Sequence, residues 1–154
     1  MGIILFTFVF ALLLAAMPLP DAFLWVQPEW ATMVLIYWCI ALPHRVGVMA
    51  GFFLGLCMDL LDGSLLGQNA LAMSVIAYIS LLLFQRMRNY GALQQALMVG
   101  LLISISLLIF QWIQNLTSVA ADTLAFLLPA ITSMVLWPWF FIGMRTIRRR
   151  FQIH

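Results

Sequence analysis

Six apolar runs, at about 2–17, 30–43, 46–61, 69–85, 92–114 and 124–144, leave this chain of 154 residues almost no polar stretch from which to build anything else. Between them lie short breaks marked by proline, glycine or asparagine, such as Pro18-Leu-Pro20-Asp21, Pro43-His44-Arg45, Asp62-Gly63-Ser64 and Asn89-Tyr90-Gly91. Only 8% of the residues are charged, where a soluble domain carries about a quarter. The mean hydropathy is +1.11. In lipid, backbone groups must be satisfied within the segment, so apolar runs of this length read as helices. The expectation is an all-α integral membrane protein, one transmembrane domain over residues 1–154, built as a bundle of six transmembrane helices. Crossing the hydrocarbon takes about 20 residues. The first three runs are short for that, and the fifth and sixth are ample. The first run lacks a basic n-region, so it is expected to be a span and not a signal peptide.

The charges are sorted by sign along this thread. All seven basic residues are arginine: Arg45, Arg86, Arg88, Arg145, Arg148, Arg149 and Arg150. Six spans with Arg45 on the cytoplasmic side place every arginine there, and Asp21, Glu29, Asp62 and Asp122 on or near the other side. Basic residues in short loops set orientation. Both termini are therefore expected in the cytoplasm. The RTIRRR cluster, Arg145–Arg150, reads first as a topology anchor that also touches acidic lipid; a net charge of +2 gives no support to nucleic acid as a partner.

Within the third run, Gly47, Gly51, Gly55, Asp59, Gly63 and Gly67 recur at every fourth position. Each such step overshoots a helical turn by about 40°, so the six do not share one face. Gly47, Gly51 and Gly55 can form a close-packing groove, since small residues let helix backbones approach in lipid. That groove faces either a helix of another protein or the chain's own second or fourth span. Asp59, Asp62, Gly63 and Gly67 belong to the turn that follows. An acid inside an apolar run is costly and a default candidate for function. The expectation joins two readings: Asp59 bonds backbone where the span ends while Asp62 opens an Asp-Gly turn, and the pair offers a contact to an extracytoplasmic partner.

Sharper chemistry finds little to stand on. Asp59 and Asp62 are three apart and would share a helix face, but no second acidic motif or Gly-x-Gly-Asp sequence accompanies them. The arginines lie at the other side, which disfavours a metal-diphosphate site. His44, beside Pro43 and Arg45 in the turn between the second and third spans, reads as an interfacial residue, and those two spans are expected to pair as a tight antiparallel hairpin. Ser104, Ser106, Gln111 and Gln114 are expected to hydrogen-bond between helices. Pro138, between Trp137 and Trp139, is expected to kink the sixth span. Cys39 and Cys57 form no CxxC pair. No catalytic residue, cofactor or metal is expected.

Several segments together resemble the bacterial rod-shape-determining protein MreD family. They are Pro28-Glu29-Trp30 leading into LIYWCIALPHRVGV (Leu35–Val48), then GFFLGLCMDLLDGSLLG (Gly51–Gly67), LAMSVIAY (Leu71–Tyr78), QQAL (Gln94–Leu97) and VLWPWFF (Val135–Phe141). The resemblance implies a non-catalytic scaffold of the cell-elongation machinery that makes lateral peptidoglycan, held in the inner membrane. It implies MreC as direct partner, with MreB, the elongation transpeptidase and its SEDS-family polymerase in the same assembly. The family is similar in fold to the substrate-binding subunits of energy-coupling-factor vitamin transporters. That similarity supplies the alternative of a membrane subunit binding a small amphipathic ligand or a lipid-linked precursor, though fold does not imply function.

Overall fold

A computed structural model describes residues 2–17, 30–63, 67–116 and 128–151. Among these residues the chain is all helical: α1 (Gly2–Ala16), α2 (Trp30–Ala41), α3 (Val48–Asp62), α4 (Gln68–Asn89), α5 (Ala92–Leu116) and α6 (Leu128–Arg150). The breaks expected as outer loops at Pro18–Asp21 and from Thr117 to Asp122 lie outside the described residues, whereas Asn115 and Leu116, expected in the second of them, belong to the last turn of α5. Helices α4, α5 and α6 are long and apolar enough to cross a membrane; α1, α2 and α3 are shorter apolar helices.

The shortest helix is the centre. Every residue of α2 from Ala31 to Ala41 is buried. A helix apolar on all sides has no wet face to offer and sinks into the bundle. It packs mainly against α4 and α1, with smaller contacts to α6, α3 and α5. The Trp38 indole brought along is paired, its Nε1 donating to Thr7 Oγ1 at 2.9 Å, whereas the buried Thr32 hydroxyl has no partner among the described residues. Thr7 in turn donates to the Ile4 carbonyl of its own helix at 2.7 Å. Tyr37 meets Trp38 and Phe141 edge-on, with ring centroids 5.4 and 5.5 Å apart. Such pairs add stabilisation beyond the area they bury.

This centre corrects the expected hairpin of the second and third spans. The connector is as short as expected, with Arg45 and Val46 amides both donating to the Leu42 carbonyl at 3.1 Å. Yet α2 and α3 barely touch, because α4 packs against both of them. Close packing decides this: α3 carries the glycines that let α4 approach, and α2 carries none.

The outward faces are apolar. Leu93, Leu97, Leu101 and Leu108 on α5, and Leu5, Phe6, Val9, Phe10 and Leu13 on α1, are all exposed. Water would penalise this surface, whereas lipid does not. Helix α6 runs unbroken through Pro138 and on to Arg150, six residues past the expected end of its run. Arginine is a good helix former, and cations complement the negative end of the helix dipole. The same holds for Arg86 and Arg88 in the last turn of α4.

Candidate functional site

Two clusters of charged side chains mark opposite ends of the bundle. The first is the turn from α3 to α4. Helix α3 closes on Gly63, whose φ of 67° is left-handed. Helix α4 begins after Gly67, with φ 104°, which has no side chain to cap the new helix. Asp59, one turn back on α3, supplies what is missing. Its Oδ2 accepts from the Gly67 amide at 2.8 Å and its Oδ1 from the Asn69 amide at 2.9 Å. The carboxylate is only 1% exposed. Both oxygens thus satisfy orphan amides at the positive end of α4, and charge-assisted bonds of this kind are the stronger ones. Asp59 bonds the start of the following helix and not merely the end of its own. The side chain of Asp62 lies outside the described residues, as do Ser64 to Leu66.

The glycine face leads directly into this cap. A Cβ on Gly51 would lie 2.8 Å from the Met73 carbonyl oxygen and 3.1 Å from Ala77 Cβ. On Gly55 it would lie 2.5 Å from the Ala70 amide nitrogen. Gly47 is looser, with Leu81 Cδ1 at 3.7 Å. Of the two faces open to the sequence reading, this groove meets the chain's own fourth helix. The space there is filled to backbone contact, so a helix from another protein has no room on it.

The second cluster lies at the arginine end. Arg88 on α4 reaches across to the last turn of α2, donating from Nε to the Ile40 carbonyl at 2.9 Å and from a terminal nitrogen to the Ala41 carbonyl at 2.8 Å. Its guanidinium also lies 5.4 Å from the centre of the Phe84 ring. Beside it, buried Gln95 donates to the Met87 carbonyl at 3.0 Å and accepts from the Trp137 indole at 3.1 Å. This ties α4, α5 and α6 together. Between these elements a cavity of ≈ 590 Å³ is lined by Tyr37, Arg88, Tyr90, Arg145 and Arg148, among others. His44, Arg45, Arg86, Arg149 and Arg150 do not line it; Arg45, Arg149 and Arg150 are exposed.

Sequence reading singled out Asp59 and Gly67 but had no means to link them to Asn69, nor Arg88 to α2, 47 and 48 residues away. Nor does any local pattern tie the buried Trp137 indole to Gln95, 42 residues away. Ser104, expected to bond between helices, donates instead to the Gly100 carbonyl of its own helix at 2.8 Å. That back-bond is the usual refuge of a serine inside a helix. Among the described residues no group of three or more His, Cys, Asp or Glu could hold a metal ion. Cys39 is buried and Cys57 exposed, both free.

The fold and these two ends define a helical membrane protein in which charged side chains close helix termini. Comparison with known proteins gives the particular family. The family model described as rod shape-determining protein MreD matches residues 1–147. A curated relative, the rod shape-determining protein MreD of Haemophilus influenzae (strain ATCC 51907 / DSM 11121 / KW20 / Rd), is 37% identical over 151 residues, covering 98% of this chain and 93% of that protein. No solved structure matches. The chain belongs to the MreD family of rod shape-determining membrane proteins.

Proposed function

We propose that this protein is a non-catalytic scaffold of the cell-elongation machinery in the bacterial inner membrane, with six spans and both termini in the cytoplasm. It maintains rod shape by holding MreC directly, in an assembly with MreB, the elongation transpeptidase and its SEDS-family polymerase. The family match along nearly the whole chain carries this reading. The gathering of Arg88, Arg145 and Arg148 at one end of the bundle supports the orientation, since basic residues stay on the cytoplasmic side. The likeness of fold to energy-coupling-factor substrate-binding subunits rests on the family resemblance alone.

The contact with MreC is proposed for the groove between α1 and α6. Among the described residues these helices do not touch one another, and α1 packs only against α2 and α3. The groove, ≈ 640 Å³, is almost wholly apolar and is lined by Phe6, Phe10, Ala11, Phe140, Gly143 and Met144, among others. An apolar membrane helix fits such a surface by close packing. A Cβ on Gly143 would meet nothing within 4 Å, so Gly143→Trp fills the groove without disturbing the bundle. In cells lacking their own copy, the unaltered chain is expected to restore rod shape and to recover MreC from solubilised membranes. Gly143→Trp is expected to lose most of that recovery while keeping normal abundance. Normal MreC recovery by Gly143→Trp would move the contact elsewhere, and rod shape without any MreC recovery by the unaltered chain would end the direct-partner reading.

A further inference from the structure

The cavity at the arginine end has the makings of a binding site. Three guanidinium groups line it, from Arg88, Arg145 and Arg148, and among the described residues no carboxylate does. Arg145 and Arg148 are three apart on α6 and so share one face, while Arg149 and Arg150 lie off the cavity. The phenol of Tyr37 is within electrostatic reach of Arg145 and Arg148. Arg88 commits two N–H groups to α2 carbonyls, leaving the rest of its five donors. Like charges around one space repel, and an oxyanion among them offsets this while accepting charge-assisted hydrogen bonds.

The rest of the lining is apolar: Ile40, Ala41, Phe141 and Ile142. Ile142 is 62% exposed, so the cavity has a greasy lip that opens onto the outer face of the bundle. A free ion has no use for that lip. A molecule with an anionic head and an apolar tail uses both parts, and basic pockets between membrane helices suit phosphate headgroups. We propose that this cavity binds the phosphate-bearing headgroup of an anionic lipid, with Arg88, Arg145 and Arg148 as its oxyanion ligands and the acyl chains leaving past Ile142. The site concerns the chain by itself and stands or falls independently of the contact with MreC.

The full chain in neutral detergent, examined by native mass spectrometry with added dioleoylphosphatidylglycerol or dioleoylphosphatidylcholine, tests this. Retention of the anionic lipid is expected to exceed that of the zwitterionic one by about tenfold or more. Arg145→Gln with Arg148→Gln is expected to remove about as much, whereas Arg149→Gln with Arg150→Gln, an equal change in charge off the cavity, stays within about twofold. Equal loss in the two pairs, or equal retention of the two lipids, would overturn the site. So would full displacement of lipid by millimolar inorganic phosphate, which assigns the cavity to the free ion, or capture of an oligoglutamate peptide in place of lipid. Should the Arg145 and Arg148 variant fail to fold, a photoactivatable phosphatidylglycerol decides on the unaltered chain: crosslinks at or beside Ile142 are expected, and crosslinks confined to other helices contradict the proposal.

Discussion

The two ends of the bundle solve one problem with opposite outcomes. At each, a charged side chain on one helix satisfies the bare backbone end of another: Asp59 the amides that open α4, and Arg88 the carbonyls that close α2. At the Asp59 end the result is sealed. The carboxylate is buried, both oxygens are occupied, and one turn earlier at Gly55 the two helix backbones are in direct contact. At the Arg88 end the same device borders an open cavity with two further arginines and, among the described residues, no acid to balance them. A charge that is fully enclosed by backbone donors finishes a fold. A group of like charges around a cavity leaves something for a ligand or neighbour to finish.

The sharpest way to break this contrast is to force the sealed end open. Gly55→Ala sets a methyl group 2.5 Å from the Ala70 amide nitrogen, against backbone that cannot rotate away. The expected cost lies at or above the top of the range of about 1–3 kcal/mol for overpacking, read as loss of monodisperse protein on size exclusion. Gly47→Ala, with only ordinary contact to Leu81, is the matched control and should purify normally. Next comes Asp59→Asn, which keeps the shape but replaces one acceptor with a donor facing a backbone amide. A buried donor left unsatisfied costs about 1–3 kcal/mol, visible as a lower thermal midpoint. The smallest effect is expected from Arg88→Gln. The open end relaxes more easily and water reaches the freed carbonyls of Ile40 and Ala41, so the loss should be about 1 kcal/mol. A larger loss for Arg88→Gln than for Asp59→Asn would reverse the comparison.

Much of this was legible in the residues, for reasons that can be stated. Six helices lie within or close to the six apolar runs because lipid-embedded backbone has few alternatives. Gly51 and Gly55 announced a close approach, since only small residues permit one. Which helix would approach was not legible. The run from Trp30 to Ala41 is apolar all round, so no stripe on it points to a neighbour, and its place at the centre emerges only when the helices pack. The Arg88 bonds to α2 join residues 47 and 48 positions apart, and no local pattern foretells a contact of that range. Asp59 was legible as an anomaly and as part of a turn. That it caps the next helix depended on Gly67 having no side chain of its own there.

Asp59 is the group most easily mistaken for a reactive one, and its role as a cap is the centre of the account. The direct test measures thermal midpoint, membrane abundance and rod-shape complementation together for Asp59→Asn. The account expects the three to fall together, with shape recovering when overexpression restores the abundance of folded protein. An Asp59→Asn variant that melts and accumulates like the unaltered chain, yet cannot support rod shape, would contradict it and give Asp59 a task beyond holding α4.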